Sequence, residues 1–196
     1  MSEGNSNLDE NPFYRRLKQT TASGEAGSLE ALAFEIGNTV LQEGAFPSAY
    51  FEALMALLKE EHFLHLEGSW KLIRVFEENW NEVSNDQRRI LLAGLEQQYE
   101  FFTDWMACFV ISGILGEQYG NNDAFDALLR LASTRKEMPR SFVPHGLEHI
   151  ARQSSDSKLA QRAFDELVKM KGDQSNMVRG EVAESLARLA KLRAKQ

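Results

Sequence analysis

At 196 residues, 43% of them hydrophobic, the chain is long enough for one domain or a small repeat array, and its single cysteine, Cys108, cannot form an internal disulfide. Apolar runs stay far below the roughly 18 residues of a membrane span, and the polar start MSEGNSNLDE is unlike a signal peptide, so we expect a soluble, cytoplasmic protein. The net charge of −7 disfavours binding to phosphate backbones.

Helical periodicity organises the first half of the chain. Residues 1–10 lack an apolar period and are expected to form a disordered tail. Helices are then predicted to begin at proline or serine, namely at Pro12, Ser28, Pro47, Ser69 and Ser84. Ser84 followed three residues later by Gln87 is a capping-box pattern, and the helix that it opens carries Ile90 and Leu91 on its expected inner face.

The second half of the chain is also predicted to be helical. Residues 105–115 (WMACFVISGIL) are apolar nearly all round, which predicts the central and most enclosed helix, with Cys108 buried in it. Asn122 can cap the next helix, a short helix then carries Val143 inward, and Asp156 opens another. Alternating runs of period two are absent, so no strand is predicted.

The last predicted helix, residues 175–191, has the clearest apolar stripe. Its apolar residues recur at steps of four, four and three in Val178, Val182, Leu186 and Leu189, and the stripe is widened by Met177, Ala183 and Ala190. Glu184 and Arg188 on the opposite face are four apart, in the favourable order for a solvated ion pair.

The turn before this helix and its first residues resemble a known repeat. Gly172-Asp173, then the Val178-Arg179 pair and the Ala/Leu stripe, are similar to the second helix of a HEAT repeat. The resemblance implies an all-α fold of about ten helices in antiparallel hairpins, stacked as a HEAT-like α-α superhelix in a single domain, residues 11–196. Equivalent helices begin near residues 28, 68, 103, 142 and 176. Their spacings of 40, 35, 39 and 34 residues are irregular and somewhat short against the roughly 40 to 47 residues of HEAT or armadillo units. A compact, irregular helical bundle is the alternative.

A zinc-peptidase pattern occurs at His145, Glu148 and His149. In the H-x-x-E-H motif two histidines bind zinc and the glutamate activates water. Those peptidases need a further downstream acidic ligand in a larger domain, whereas only 47 residues follow His149. We therefore expect a coincidental, partly exposed histidine pair, with a zinc hydrolase as the minor alternative.

Glu61, His62 and His65 are a second group of metal-binding residue types. Glu61 and His65 are four apart, so they do not meet the Glu-x-x-His spacing of di-iron bundles, and we expect a solvated loop edge. No phosphate-binding loop, nucleophile elbow or Cys-x-x-Cys pair accompanies either group. The sequence therefore predicts no metal, no cofactor and no enzymatic activity.

Aromatic and acidic residues interleave on neighbouring predicted helices, as they do on protein-binding surfaces. The predicted partner-binding set consists of Trp70, Glu77, Glu78, Glu82, Glu100, Asp104, Glu117 and Tyr119. Trp80 and Trp105 share the pattern but are expected in the core, while the carboxylates are expected in solvent.

Charge divides the chain and suggests the kind of partner. Residues 1–126 hold 21 acidic and 8 basic residues, whereas residues 127–196 hold 8 acidic and 14 basic residues. Our leading hypothesis is a non-enzymatic protein-binding module whose acidic N-terminal and middle helices bind a basic protein. In size, charge and helical fold the chain resembles bacterial immunity proteins that neutralise basic nuclease toxins, an analogy without a motif.

Two alternatives remain open. The basic C-terminal part could bind nucleic acid, as in the HEAT-like alkylpurine DNA glycosylases that it resembles, through Arg130, Arg135, Lys136, Arg140, Arg152, Arg179 and Arg188. A scaffold or adaptor would differ from the leading hypothesis only in its partner. The sequence predicts neither the partner's identity nor the oligomeric state.

Overall fold

The computed structural model describes residues 8–193, which form eleven α-helices and no strand. The predicted all-α class is thus confirmed. The helices are α1 (Pro12–Ser23), α2 (Ala26–Glu43), α3 (Ser48–Leu57), α4 (Glu61–Leu64), α5 (Trp70–Glu78), α6 (Asn85–Gln98), α7 (Trp105–Gly113), α8 (Asn122–Leu131), α9 (Glu137–Gln153), α10 (Ser157–Met170) and α11 (Asn176–Arg193). Short 3-10 helices occur at Leu8–Glu10, Trp80–Glu82 and Tyr99–Phe101, and a π-helix, Ile114–Tyr119, follows α7.

The described residues fall into two compact units that divide between Ala107 and Cys108. In the first unit α2 packs on α5, and α1 and α6 both pack on α3. In the second unit α9 contacts α8, α10, α11 and the π-helix. The HEAT-like stacking and the single domain over residues 11–196 stay predictions. Of the expected disordered tail, residues 1–7 lie outside the described residues, while Leu8–Glu10 form a turn of 3-10 helix.

Helix starts follow the local sequence closely. The Ser84 hydroxyl accepts from the Gln87 N–H and the Gln87 side chain accepts from the Ser84 N–H, so the predicted capping box is present. Asp156 caps α10, but α8 is capped by Asn121 rather than by the predicted Asn122. The Asn121 side chain accepts from the Ala124 N–H at 3.0 Å, satisfying one of the free donors of the first turn.

The central helix of the second unit, α9, is longer than its sequence predicted. We expected a short helix there, but α9 has 17 residues and contains Pro144. A Cβ added to Gly116 of the π-helix would lie 2.2 Å from the carbonyl oxygen of Gly146, so the backbones of the two helices touch where both lack a side chain. The helix continues through Pro144 although proline cannot donate a backbone hydrogen bond.

The helix predicted to be most enclosed is only partly enclosed. Cys108 in α7 is fully buried as expected, but Trp105 is 56% exposed and Phe109 37% exposed. Apolarity on all sides of a helix therefore did not mean burial on all sides. Ile90, expected on the inner face of α6, is 54% exposed, while its neighbour Leu91 is buried.

The stripe of α11 is narrower than predicted. Val178, Val182 and Leu189 are buried, and Ser185 rather than Leu186 completes the buried face. The residues expected to widen the stripe, Met177, Ala183 and Ala190, are exposed. Among the described residues, no helix combines the length and the apolarity that a membrane crossing requires.

Candidate functional site

The candidate site is a surface of the first unit centred on Trp70, the first residue of α5. We call it the Trp70 surface, and it comprises two adjoining grooves that both include Trp70 and Lys71. The first, the Phe34 groove, has a volume of about 490 Å³ and is lined by Glu30, Ala33, Phe34, Trp70, Lys71, Arg74 and Glu78. The second, the Trp105 groove, has a volume of about 590 Å³ and includes His65, Glu67, Asp104, Trp105 and Met106.

The Phe34 groove lies where α2 packs on α5. The buried stripe of α2 runs through Leu29, Leu32, Ile36 and Val40, so Phe34 points away from the core and is 72% exposed. Leu41, two turns further along the same outer side of α2, is 68% exposed. An apolar outer face of this kind is available to another protein.

Cations flank the Trp70 ring and are themselves paired with carboxylates. The Lys71 ammonium and the Arg74 guanidinium each lie 5.9 Å from the ring centroid, within cation–π range. Lys71 Nζ is 2.9 Å from Glu30 Oε2, and this hydrogen bond and the charge of Lys71 hold the pKa of Glu30 below its ordinary value. Arg74 Nε is 3.1 Å from Glu78 Oε1 and 3.8 Å from Glu77 Oε2.

Asp104 joins the two loops that form the wall of the Trp105 groove. Its Oδ2 accepts from the Gly68 N–H at 2.8 Å and its Oδ1 accepts from the Met106 N–H at 2.9 Å. Gly68 has φ +87°, in the region where a side chain is strained. Nearby, the Thr103 N–H donates to the Leu64 carbonyl at 3.0 Å. These hydrogen bonds hold the two loops of the wall together.

The structure brings together part of the predicted partner-binding set. Trp70 and Glu78 line the Phe34 groove, Glu77 pairs with the same arginine as Glu78, and Asp104 lines the Trp105 groove. Asp104 was expected in solvent as a rim residue, and this is wrong, since it is only 9% exposed and binds two backbone N–H groups.

The other members of the predicted set lie elsewhere. Glu82 ends the 3-10 helix Trp80–Glu82 and Glu100 lies in the 3-10 helix Tyr99–Phe101, both half-buried. Glu117, which is exposed, and Tyr119, which is half-buried, belong to the π-helix of the second unit.

Two tryptophans expected in the core are not fully buried. Trp105 is 56% exposed and is the first residue of α7, directly after Asp104, whose carboxylate accepts from the Met106 N–H. Trp80 is half-buried, and the Arg88 guanidinium lies 4.4 Å from its ring centroid.

Sequence reasoning missed Phe34, Lys71 and Arg74. A usable signal existed for Phe34, because it is out of step with the apolar stripe of α2 and falls on the same face as Glu30. Nothing local in the sequence indicated that α5 would place Trp70 beside Phe34, because these residues are far apart along the chain.

The H-x-x-E-H residues form a packed charge cluster in the second unit. The expected partly exposed histidine pair is wrong for His149, which is 9% exposed, whereas His145 is half-buried as expected. Glu148, the third residue of the motif, is 2% exposed. The Glu148 carboxylate turns to Arg188 at 2.7 Å and to Arg152 at 3.9 Å. It is therefore engaged in an ion-pair network with two arginines.

The two histidine rings contact each other and their surroundings. His145 is stacked on Phe109 at 4.1 Å between centroids and meets His149 edge-on at 4.6 Å. Burial, and then the charges of His149, Arg188 and Arg152, lower the pKa of His145 to about 3. Burial also lowers the pKa of His149, although its Nδ1 lies 3.3 Å from Glu117 Oε2. Within residues 8–193 no group of three or more His, Cys, Asp or Glu is placed to hold a metal.

The second group of metal-binding residue types is exposed as expected, but two of its members lie on a helix and not on a loop edge. Glu61, His62 and His65 belong to or follow the one-turn helix α4, and His62 Nε2 lies 3.1 Å from the Thr21 hydroxyl. His62 thus ties α4 to α1.

Four of the basic residues proposed for nucleic acid are paired within the second unit. Arg152 and Arg188 neutralise Glu148, and Arg179 donates to the Asp173 carbonyl. Arg140 is 6% exposed and donates through Nε and a terminal nitrogen to the Asp173 carboxylate. Burial would raise the pKa of Asp173, but the hydrogen bonds from Arg140 and the Ser175 N–H outweigh it and lower that pKa.

No protein-family model, curated protein or solved structure matches the chain.

Proposed function

We propose that the chain is a non-enzymatic protein-binding module that holds a basic protein against the Trp70 surface. The observation that carries the proposal is the exposure of Phe34 and Trp105 in two grooves that meet at Trp70. Aromatic side chains in shaped, charge-rimmed depressions are the usual anchors of protein interfaces.

The net negative charge of the first unit favours a basic protein as the partner. Residues 1–107 hold 18 acidic and 8 basic residues. Five of those basic residues are already ion-paired within the unit, in the pairs Arg16–Glu35, Lys18–Glu60, Lys71–Glu30, Arg74–Glu78 and Arg89–Asp86. The remaining carboxylates outnumber the remaining cations, so the unit attracts a positively charged protein and repels nucleic acid.

Site-specific photo-cross-linking in the native host tests this function. A photoreactive amino acid replaces Phe34 in one variant and Gln97, an exposed residue on α6 outside both grooves, in a control variant. We expect an adduct from position 34 only, with a partner whose surface is basic. Equal adducts from both positions, or an acidic partner at position 34, would overturn the proposal.

The captured partner is then purified and its affinity measured with Phe34→Ala and with duplex DNA as competitor. Loss of a contact of this size is expected to weaken binding about tenfold or more. Duplex DNA is expected neither to bind the chain in a filter assay at low salt nor to compete. Tight DNA binding would favour the glycosylase-like alternative.

An immunity-type role, neutralising a basic nuclease toxin, is the specific form of the proposal that size, charge and helical fold suggest. It predicts that the product of the adjacent gene is toxic alone and harmless when this chain is co-expressed. A captured basic partner without nuclease activity would instead support the scaffold or adaptor form.

A further inference from the structure

The Trp105 groove has a lining suited to one chemical group. Trp105, 56% exposed, and Trp70 supply aromatic walls, and the groove is wide enough for a side chain at about 590 Å³. Aromatic walls alone would accept any apolar group. The charges around them narrow the choice.

Asp104 contributes a buried carboxylate to the wall of the groove. Its carboxylate is 9% exposed and accepts two backbone N–H groups, which leaves about half of its lone-pair capacity unused. Within residues 8–193 it has no lysine, arginine or histidine at ion-pair distance. A buried carboxylate that is hydrogen-bonded by backbone N–H groups but not paired with a cation favours a cationic group in the groove.

Of the other charged residues of the groove, Glu67 acts in the same direction as Asp104 and Lys71 opposes it. Glu67, exposed on the rim, adds a second carboxylate. The opposing cation, Lys71, has its ammonium 2.9 Å from Glu30 of the Phe34 groove, so its charge is largely balanced there. His65, also on the rim, is exposed. The groove therefore favours cations over phosphates and other anions.

We propose that the Trp105 groove binds an arginine side chain of the basic partner, its guanidinium stacked on Trp105 and paired with Glu67, in the field of Asp104. A guanidinium is planar, stacks on indole rings and donates in a fork to carboxylates, whereas an ammonium is a more strongly hydrated point charge. The inference rests on the proposed function for its source of arginine and deepens it by naming the anchoring side chain.

Short peptides test the inference on the whole chain. The probe is acetyl-Gly-Arg-Gly-amide, compared with peptides carrying lysine or the neutral isostere citrulline, and the readout is the shift of the tryptophan indole N–H signals in NMR titrations. We expect the arginine peptide to bind at least fivefold more tightly than the lysine peptide and the citrulline peptide not to bind. Equal binding of arginine and citrulline peptides would overturn the proposal.

Variants locate the binding. Trp105→Ala and Glu67→Gln change exposed side chains, so the fold should persist, and each is expected to weaken arginine-peptide binding about tenfold. Gln97→Ala, an exposed change on α6 outside both grooves, is the control and is expected to leave arginine-peptide binding unchanged. An unaltered affinity in Trp105→Ala, with an unchanged circular dichroism melting curve, would contradict the inference.

The two proposals can fail separately. If a basic partner is captured at position 34 but Trp105→Ala and Glu67→Gln leave its affinity unchanged, the proposed function stands and the arginine site is refuted. If the arginine peptide binds at Trp105 but no basic partner is captured, the site stands and the proposed function falls.

Discussion

Glu148 Oε2 on α9 lies 2.7 Å from Arg188 Nε on α11, although only 2% of the Glu148 side chain is exposed. Removing the arginine leaves the carboxylate buried with Arg152 at 3.9 Å. Because Arg188 itself is 43% exposed, we expect Arg188→Met to lower the free energy of unfolding by about 2 kcal/mol, less than for a fully buried pair. Urea denaturation measures this change.

Glu184→Gln is the matched control for this prediction. Glu184 is the exposed partner of Arg188, 3.5 Å away at i−4, and its loss should cost less than about 0.5 kcal/mol. The double variant Glu148→Gln with Arg188→Met should recover part of the lost stability, because no charge is then left buried without its main partner. Equal losses of unfolding free energy in Arg188→Met and Glu184→Gln would show that the buried pair stabilises the fold no more than the exposed pair does.

The backbone contact between Gly116 and Gly146 predicts a graded series of alanine variants. Gly116→Ala places a Cβ 2.2 Å from a carbonyl oxygen that cannot rotate away, so unfolding should become easier by about 3 kcal/mol. A Cβ added to Gly180 on α11 would meet no atom within 4 Å outside its own helix backbone. Gly180→Ala should therefore stabilise the chain by about 0.5 to 1 kcal/mol. Thermal unfolding followed by calorimetry measures both, and destabilisation by Gly180→Ala would contradict the geometry.

Gly94 offers an intermediate case in the first unit. A Cβ there would lie 2.3 Å from Met55 Cε, the end of a flexible side chain. We expect Gly94→Ala to fall between the other two variants, because Met55 can change rotamer while a backbone carbonyl cannot.

The stability of the chain should fall in mild acid because of His145. Its pKa is lowered from 6.5 to about 3, so below pH 6.5 the unfolded chain takes up a proton that the folded chain does not. The contribution of this neutral histidine is fully present above pH 6.5 and is lost progressively as the pH falls toward 3. The slope approaches about 1.4 kcal/mol per pH unit for one such group.

Denaturation curves at pH 7, 6, 5 and 4 measure this slope. His145→Phe keeps a ring against Phe109 without a titrating group, so its stability should fall less steeply. His149, whose pKa is also lowered, contributes a loss of the same sign in both proteins. Parallel curves for the two proteins would exclude His145 as a source of the acid sensitivity.

Association with the basic partner should depend on salt and on Glu78. Glu78→Lys removes the pairing of Glu78 with Arg74 and changes the charge of the Phe34 groove by two units. We expect the association rate to fall several-fold at low salt and the difference to shrink above physiological ionic strength. Glu184→Lys in the second unit is the control, and surface plasmon resonance gives both rates. Association that is insensitive to salt and to Glu78→Lys would contradict the electrostatic part of the proposed function.

Local interactions made much of this chain predictable. The all-α class, the capping box at Ser84, the Asp156 cap and the buried Cys108 depend on residues within one or two turns of each other. The same reasoning found Trp70 and Glu78 because aromatic and acidic residues recur within α5. Errors of one position, as at Asn121, reflect how weakly neighbouring polar residues differ as caps.

Only the tertiary structure decided which side of each helix packs against other parts of the chain. Asp104, which was expected in solvent, is buried where its carboxylate binds the N–H of Gly68, 36 residues earlier in the chain. Trp105, which was expected in the core, is exposed. Glu148 is buried where it accepts a hydrogen bond from Arg188, which lies on α11, 40 residues later in the chain. The sequence by itself determined where helices form, since that depends on neighbours along the chain, whereas contacts between distant residues decided which aromatic and charged side chains are exposed.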